Sequence, residues 1–208
     1  MTGTWRWLGL DAAVVVRAEG TAGGGRDRSA RRRARWGRAW GVTQAVGVKG
    51  AWLGLLLEAG DVGLTLEGEY PADVDPWMSL AKKGVTLELI PKKNGLPDAA
   101  RMLEELKRPE VKVVTMSWVS FSTGYRADLA TIGAACKEHG VFFVVDAIQG
   151  VGALTLDVAK LHIDVLASGA QKWLLAPWGS GFVYVREGVM PELEPAVVGW
   201  LAMKSSED

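Results

Sequence analysis

Asp146 and Lys172 each carry a reactive side chain, and each stands at a position in the sequence that would make that side chain more reactive. Asp146 ends the apolar run VFFVV, so its carboxylate is expected to lie partly out of water, where a charge is costly unless it meets a cation. Lys172 precedes the apolar run WLLAPW, and apolar surroundings disfavour the charged form of an amine. Each residue alone also has an ordinary interpretation, as an acid that caps the next turn or a lysine whose stem covers apolar surface.

The two residues together indicate a more specific chemistry. A lysine whose amine is neutral can form a Schiff base with a carbonyl group. An acid that keeps a pyridine nitrogen protonated is the second protein group that pyridoxal 5'-phosphate (PLP) requires. The pairing of Asp146 with Lys172 therefore predicts a PLP site.

The elements that must position these residues are predicted from the pattern beyond about Gly60. Short apolar runs alternate with helical stretches there, which is typical of βαβ units and of a largely parallel sheet. The predicted strands are 62–67, 85–90, 111–116, 141–146, 163–168 and 181–185. The predicted helices are 75–84, ending at Gly84, 96–108, with Pro97 in its first turn, and 127–140, ending at Gly140.

One edge of this predicted sheet collects the polar side chains. In open α/β sheets, ligands bind outside the carboxyl ends of the strands. The residues that follow the strands at that edge include acids, amides, hydroxyls, aromatic rings and the lysine: Glu69, Tyr70, Ser117, Trp118, Ser120, Ser122, Thr123, Asp146, Gln149, Ser168, Gln171 and Lys172. The order of strands thus predicts that Asp146 and Lys172 lie close together.

At these residues the sequence resembles the class V aminotransferases, a group of fold-type I PLP enzymes that includes cysteine desulfurases, selenocysteine lyases and isopenicillin N epimerase-like proteins. The resemblance covers about 58–200 and is best in VVDAIQGVGALTLDV (144–158) and DVLASGAQKWLLAPWGSGFVYV (164–185). It implies an α/β fold, the three-layer large domain of such an enzyme with a mostly parallel sheet, without the small C-terminal domain.

The resemblance also implies a division of the chain into three parts. Residues 59–200 are expected to form the PLP-binding large domain, and 201–208 a truncated tail. Residues 1–58 are an atypical segment rich in Gly, Arg and Trp, for which we expect partial disorder or a gene read out of frame. The arginine-rich stretch 26–38 is interpreted as a solvated face rather than a nucleic-acid site.

The resemblance gives the residues around the cofactor ring their roles. It implies that Lys172 forms the Schiff base and moves the α-proton of the substrate. Asp146 then pairs with the pyridine nitrogen, and Gln149 donates a hydrogen bond to the phenolic oxygen of the cofactor. Tyr70 falls where many members place a histidine that stacks on the ring, and a tyrosine can stack by its face equally well.

The phosphate ligands implied by the resemblance are less regular. Gln171 stands just before the lysine, near the phosphate. Many members have serine or threonine three residues before the lysine, but this chain has Gly169, with Ser168 one step earlier. The Gly/Thr-rich turn that members place upstream corresponds in spacing to GVTQAV (41–46), in which Thr43 is the candidate hydroxyl.

The resemblance implies an enzyme that acts on a small amino acid as a homodimer, with 179–181 near the interface. Transamination, elimination of sulfur or selenium, and epimerisation all remain open. Phe121 stands where desulfurases usually have asparagine and Trp118 where they have histidine, which argues against a standard cysteine desulfurase. The alternative is a truncated, catalytically inactive PLP-binding fragment.

The composition excludes several other classes of function. Of the 208 residues 49% are hydrophobic, and 24 basic residues balance 24 acidic ones, so no net charge draws the chain onto nucleic acid or a membrane. Cys136 is the single cysteine, which excludes an internal disulfide and favours a reducing, cytoplasmic compartment. His139 and His162 have no neighbouring ligand residues, so no metal site is expected.

Overall fold

A computed structural model of the chain describes residues 38–41 and 54–193. The predictions on Thr43, on the tail 201–208 and on most of 1–58 lie outside these residues. The strands are β1 Arg38–Gly41, β2 Val62–Leu66, β3 Thr86–Ile90, β4 Lys92–Lys93, β5 Leu96–Pro97, β6 Val111–Ser117, β7 Phe142–Asp146, β8 Val165–Gly169 and β9 Gly181–Val185. The α-helices are α1 Pro71–Val74, α2 Trp77–Leu80, α3 Ala99–Glu105 and α4 Leu129–His139, and Ala81–Lys83 and Glu187–Glu192 are 3-10 helices.

A mixed sheet of seven strands forms the centre of the fold, in the order β1-β9-β8-β7-β6-β2-β3. Within this sheet the parallel neighbours are β3 and β2, β2 and β6, β6 and β7, and β7 and β8. Strand β9 is antiparallel to both of its neighbours, β8 and β1. The predicted α/β fold with a mostly parallel sheet is therefore confirmed. The register sets Ser117 of β6 opposite Asp146 of β7, so these two strands end together at one edge.

Apolar side chains cover both faces of the sheet, because successive residues of a strand point to opposite faces. In β7, Phe143 and Val145 pack in one buried cluster and Val144 in the other. Helix α4 contributes Ile132 to the first cluster, and α2 contributes Trp77 to the second. The helices therefore lie on opposite faces, which confirms the predicted three layers.

Two predicted helices differ from the structure. The helix predicted over 75–84 is divided into α2 and a 3-10 turn, although Gly84 ends it as predicted, with a left-handed φ of 83°. The start predicted for the helix over 96–108 is wrong, because Leu96–Pro97 pairs with Lys92–Lys93 as a short hairpin. Asp98 caps α3 instead, since its Oδ1 accepts a hydrogen bond from the Arg101 backbone N–H at 3.0 Å.

The predicted domain boundary at residue 58 stays a prediction, although the atypical segment before it contributes one strand to the main sheet. Strand β1 lies within 1–58 and pairs with β9 from Arg38 opposite Val185 to Gly41 opposite Phe182. None of the helices in the described ranges is both long and apolar enough to cross a membrane.

Candidate cofactor site

Asp146 lies at the carboxyl end of β7 and is 3% exposed. Its Oδ1 accepts a hydrogen bond from the Ile148 backbone N–H at 2.8 Å, and its carbonyl oxygen accepts one from the Trp118 N–H at 2.8 Å. In the described part of the chain, no lysine, arginine or histidine forms an ion pair with it. Burial is the main reason why the pKa of Asp146 rises to about 6, and the Ile148 hydrogen bond opposes that rise.

Two further acids surround this carboxylate from the end of β2 and from α1. Glu69 accepts hydrogen bonds from Ser117, from the backbone N–H at 2.9 Å and from the hydroxyl at 2.5 Å. Asp73 is fully buried, and its Oδ2 lies 3.3 Å from the Ser117 hydroxyl. Within 38–41 and 54–193, no three acidic, His or Cys side chains are arranged to hold a metal ion.

Asp73 was not predicted as a site residue. Its burial results from the position of α1 beside the end of β6, which the local sequence does not reveal. The one available signal is Pro71, because proline favours the first turn of a helix and so places Asp73 in that turn.

A tight turn after β7 positions Gln149. The Ala147 carbonyl oxygen accepts hydrogen bonds from the backbone N–H groups of Gly150 and Val151, both at 2.9 Å. The Trp118 ring packs so closely against Gly150 that a β-carbon there would overlap it. Gln149 is half-buried in this turn, three residues after the buried acid. The structure thus places Gln149 at the predicted edge of the sheet.

The lysine loop follows β8, the neighbour of β7 on the other side. Two backbone hydrogen bonds close this loop. The Ala170 N–H donates to the Ser180 carbonyl oxygen at 2.9 Å, and the Ala176 N–H donates to the Ala170 carbonyl oxygen at 3.0 Å. The Gln171 side chain occupies the space that a side chain at Gly169 would need. Lys172 is exposed, so the apolar surroundings predicted for it are not found among the described residues.

Ser168 and Tyr70 lie in very different surroundings. Ser168 is 1% exposed, and its hydroxyl donates a hydrogen bond to the Gly169 carbonyl oxygen at 3.1 Å. Tyr70 is 44% exposed beyond the end of β2, and its ring meets the Phe121 ring edge to face with centroids 5.0 Å apart. Tyr70 therefore has a free ring surface, whereas the Ser168 hydroxyl already has an acceptor.

The residues of this edge fit the ring of PLP. A buried carboxylate without a cationic partner suits a protonated pyridine nitrogen, because burying an unpaired charge is otherwise costly. An amide at Gln149 and an exposed aromatic ring at Tyr70 add a hydrogen-bonding group and a stacking surface at the same edge. The phosphate ligands remain predictions, since Thr43 lies outside the described residues.

A mostly parallel sheet that carries a buried acid and a lysine loop at the carboxyl ends of adjacent strands is the arrangement of the large domain of fold-type I PLP enzymes. The chain belongs to the family described as Aminotransferase class-V, whose sequence model matches residues 42–204. Members of this family depend on PLP, so the predicted cofactor is confirmed at the level of the family. The match includes part of the segment 1–58.

Among the relatives, a probable cysteine desulfurase of Pyrococcus abyssi is 36% identical over 146 residues, which are 69% of this chain and 36% of that protein. The apo cysteine desulfurase of Thermococcus onnurineus has a similar structure, with a TM-score of 0.72 and 30% identity over 77% of this chain and 41% of that one. A C-DES mutant with glycine covalently linked to its PLP cofactor has a TM-score of 0.72 and 28% identity over 78% of this chain and 44% of that one. The chain thus spans less than half the length of these relatives.

Proposed function

We propose that this chain supplies the PLP-binding part of a class V enzyme that acts on a small amino acid through a Schiff base at Lys172. The observation that carries the proposal is the buried Asp146 carboxylate, which has no ion-pair partner in the described ranges. When bound, PLP supplies a ring that draws electron density away from the α-carbon of an amino acid. The proposed residues hold and orient that ring.

Each ring-binding residue has a distinct part in the proposal. Asp146 keeps a proton on the pyridine nitrogen, and Gln149 donates a hydrogen bond to the phenolic oxygen. Tyr70 stacks on the ring by the surface that its edge contact with Phe121 leaves exposed. Lys172 forms the covalent link and then moves the substrate's α-proton as a general base.

The phosphate is proposed to bind at Gln171 and at the hydroxyls of Ser168 and Thr43. The Gln171 side chain lies over Gly169, beside Ile148 of the turn that follows Asp146. This position supports the assignment of Gln171. To bind the phosphate, Ser168 would have to turn its hydroxyl away from the Gly169 carbonyl oxygen.

The reaction is proposed to be transamination, elimination of sulfur or selenium, or epimerisation. The names of two relatives, a probable cysteine desulfurase and the cystine C–S lyase C-DES, favour sulfur chemistry on an amino acid. Phe121 and Trp118 stand against a standard desulfurase, because a desulfurase usually carries polar groups at both positions. A cytoplasmic location remains a prediction.

A specific observation favours the alternative, a PLP-binding fragment without catalytic activity. Lys172 and the next three residues, Trp173, Leu174 and Leu175, are all exposed. A Schiff-base lysine is activated in an apolar pocket, and the described residues do not form such a pocket around Lys172. Activity would require that this loop be covered.

A second copy of the chain is the proposed cover. Leu175 is 88% exposed and Trp178 is 84% exposed, and exposed apolar side chains gathered on one loop are typical of interaction surfaces. The segment 179–181, predicted to lie near a homodimer interface, follows directly. We expect Trp178→Glu to convert a dimer to a monomer in sedimentation velocity, with Leu56→Glu, which alters another exposed apolar residue, as the control.

The test of the proposed function is to add PLP to the purified chain and record the visible spectrum. Borohydride reduction and peptide mapping should then place the pyridoxyl group on Lys172. We expect the visible band to disappear in Lys172→Ala and to persist in Lys160→Ala, a surface lysine whose side chain is 79% exposed. Label scattered over several surface lysines would contradict the assignment.

Activity separates the proposed enzyme from the inactive fragment. If reduction labels only Lys172, unreduced PLP-loaded chain that releases sulfide or exchanges the α-proton of an amino acid supports the enzyme. Specific labelling with neither reaction, for any amino acid tested, supports the fragment.

A further inference from the structure

Phe121 is an aromatic residue at the edge of the cofactor site that has no part in the proposed function. It is 51% exposed, and Tyr70, which is proposed to stack on the cofactor ring, is 44% exposed. The two rings meet nearly at right angles, with an interplanar angle of 77° and centroids 5.0 Å apart. This is the edge-to-face arrangement that aromatic pairs prefer, so the contact has a defined geometry.

The backbone of Tyr70 is fixed on both sides. On one side, the Glu69 carboxylate accepts hydrogen bonds from the backbone N–H and the hydroxyl of Ser117, at 2.9 and 2.5 Å. On the other side, Tyr70 precedes α1, and its carbonyl oxygen accepts a hydrogen bond from the Asp73 N–H at 2.8 Å. Because Ser117 pairs with Asp146, these bonds tie the Tyr70 backbone to the strand ends that carry the buried acid. They leave the Tyr70 side chain free to rotate about χ1 and χ2.

The contact with Phe121 restricts this remaining rotation. An exposed side chain ordinarily populates several staggered rotamers, and ordering such a side chain when a ligand binds costs free energy. A ring that a neighbour already holds has less freedom to lose when the cofactor stacks on it. The contact between Phe121 and Tyr70 can therefore raise the affinity for the cofactor even if Phe121 does not touch it.

The loop that carries Phe121 is held by its own backbone. An isolated antiparallel bridge joins the ends of this loop, 119–126. Inside it, the Ser120 N–H donates to the Tyr125 carbonyl oxygen at 2.9 Å, and the Gly124 N–H donates to the Ser120 carbonyl oxygen at 3.0 Å. These bonds hold the backbone around Phe121 without any contribution from its ring, so the ring is available for another role.

We propose that Phe121 is a positioning residue, which holds the ring of Tyr70 in the orientation that stacks on the cofactor. This inference rests on the proposed function, from which it takes the stacking of Tyr70 on the ring of PLP. Phe121 acts through Tyr70 and has no part in the reaction itself. Its expected contribution is that of one aromatic pair, about threefold to tenfold in affinity.

The first test examines the ring contact in the chain without cofactor. The chain has three tyrosines, Tyr70, Tyr125 and Tyr184, so selectively labelled tyrosine rings give three NMR signals, and the one lost in Tyr70→Phe belongs to Tyr70. Phe121→Leu should move that signal, because the ring current of Phe121 disappears, and should leave the signal of the buried Tyr184 in place. Leu56→Ala, which shortens another exposed apolar side chain, should not move the Tyr70 signal. A Tyr70 signal that stays in place in Phe121→Leu would overturn the proposal.

The second test measures the affinity for PLP by visible titration. Phe121→Leu keeps an apolar side chain but no ring, and its Kd should rise about threefold to tenfold. Phe121→Tyr keeps the ring, and its Kd should stay within about twofold of the wild type. In a chain that already carries Tyr70→Leu, adding Phe121→Leu should leave the Kd unchanged, because the side chain that Phe121 positions is gone. An equal loss with and without Tyr70 would show that Phe121 acts in another way, which contradicts the positioning role.

The two tests separate this inference from the proposed function. If the wild type shows no specific label at Lys172, the proposed function fails and the positioning role fails with it, whereas the NMR comparison still decides whether Phe121 holds Tyr70. If the label is specific but Phe121→Leu binds PLP as tightly as the wild type, the proposed function stands and the positioning role alone is wrong. A Tyr184 signal at its wild-type position shows that the Phe121→Leu variant is folded.

Discussion

Asp146 and Asp164 are two buried aspartates on adjacent parallel strands, and they lie at opposite edges of the sheet. Asp146 ends β7, whereas Asp164 immediately precedes β8. They are 3% and 7% exposed. Asp164 accepts hydrogen bonds from the Phe143 backbone N–H at 2.9 Å and from Arg186 Nε at 2.7 Å, and Arg186 also forms an ion pair with it. Asp146 has no such cation in the described ranges.

The difference shows how one residue type serves two purposes in the same sheet. The Asp164 charge is balanced within the chain, so that edge is complete and its acid is part of the fold. Arg108 extends the pattern there, because it forms ion pairs with Glu88, Glu105 and Glu110. At the other edge, Glu69, Asp73 and Asp146 form no ion pair with any described residue, and a ligand with a positive charge would balance them.

The largest expected effect comes from the glycines that hold the two edges in place. A β-carbon at Gly133 in α4 would overlap the Leu161 carbonyl oxygen, close to Asp164, and backbone cannot move aside. Gly133→Ala should therefore lower the free energy of unfolding by about 3 kcal/mol. Gly150→Ala would meet the Trp118 ring, a side chain that can shift, and should lower it by about 2 kcal/mol. Urea unfolding measures both, and the reverse order would show that the site edge is the more rigid.

Asp164→Asn tests whether the balanced edge contributes stability. The substitution removes the charge that holds Arg186 and weakens the bond to Phe143, so the free energy of unfolding should fall by about 2 kcal/mol. Asp157→Asn changes a partly exposed aspartate nearby and serves as the control. Equal stability of both variants in urea would remove the contrast between the two edges.

Asp146→Asn should raise the free energy of unfolding at neutral pH, whereas Asp164→Asn should lower it. The folded chain binds the Asp146 proton more tightly than the unfolded chain, since the pKa rises from 3.8 to about 6. Stability therefore falls as pH increases through this interval, by about 3 kcal/mol at most, at 1.36 kcal/mol per pKa unit. Asp146→Asn removes this loss, but the hydrogens of its new amide need partners, which cancels part of the benefit. We therefore expect the free energy of unfolding to rise by about 1 kcal/mol at pH 7.5.

The pH dependence provides the control for this substitution. The gain in Asp146→Asn should vanish below about pH 3, where the wild-type carboxyl group is protonated in both folded and unfolded chains. Thermal unfolding of the cofactor-free chain at a series of pH values measures it. A variant that is less stable than the wild type at every pH would indicate that Asp146 already has a compensating cation.

The smallest effect is expected for Arg108→Gln. Arg108 lies partly exposed among its three glutamates, and exposed ion pairs contribute about 1 kcal/mol or less. The loss should shrink further in high salt, which screens such pairs. Unfolding in urea with and without added salt measures it, and Lys107→Gln, which changes a more exposed pair, is the control. A loss of stability that does not depend on salt would show that the ion pairs of Arg108 behave as buried ion pairs do.

Strands β2, β3, β6, β7, β8 and β9 could be predicted from the sequence because each is a short apolar run with few alternatives. Strand β1 could not, because it lies in the atypical Gly-, Arg- and Trp-rich segment. The hairpin over 92–97 could not be separated from the helix that follows, although Asn94 and Gly95 carry its signal. Both adopt a positive φ, of 54° and 79°, as the tight turns favoured by Asn-Gly require. The sequence predicts Pro97 in the first turn of a helix, yet Pro97 ends the second strand of that hairpin.

The site could be predicted only in part, for a physical reason. Asp146 and Gln149 follow a strand whose position in the sheet is implied by its composition. The burial of Asp73 and the exposure of Lys172 depend instead on which surfaces pack against them, and local sequence does not specify that. The resemblance to the family supplied roles for residues but not their surroundings.

Strand β1 has a consequence for the order in which the chain folds during its synthesis. Among the described strands it pairs with β9 alone, and Arg38 of β1 lies opposite Val185 of β9. A ribosome must therefore produce all the residues between the two strands, and β9 itself, before β1 finds its partner. Contacts so distant in sequence form late, because the loop must close first. During that interval β1 would present unpaired backbone groups, and it is the segment where a nascent chain would be exposed to chaperones or to aggregation.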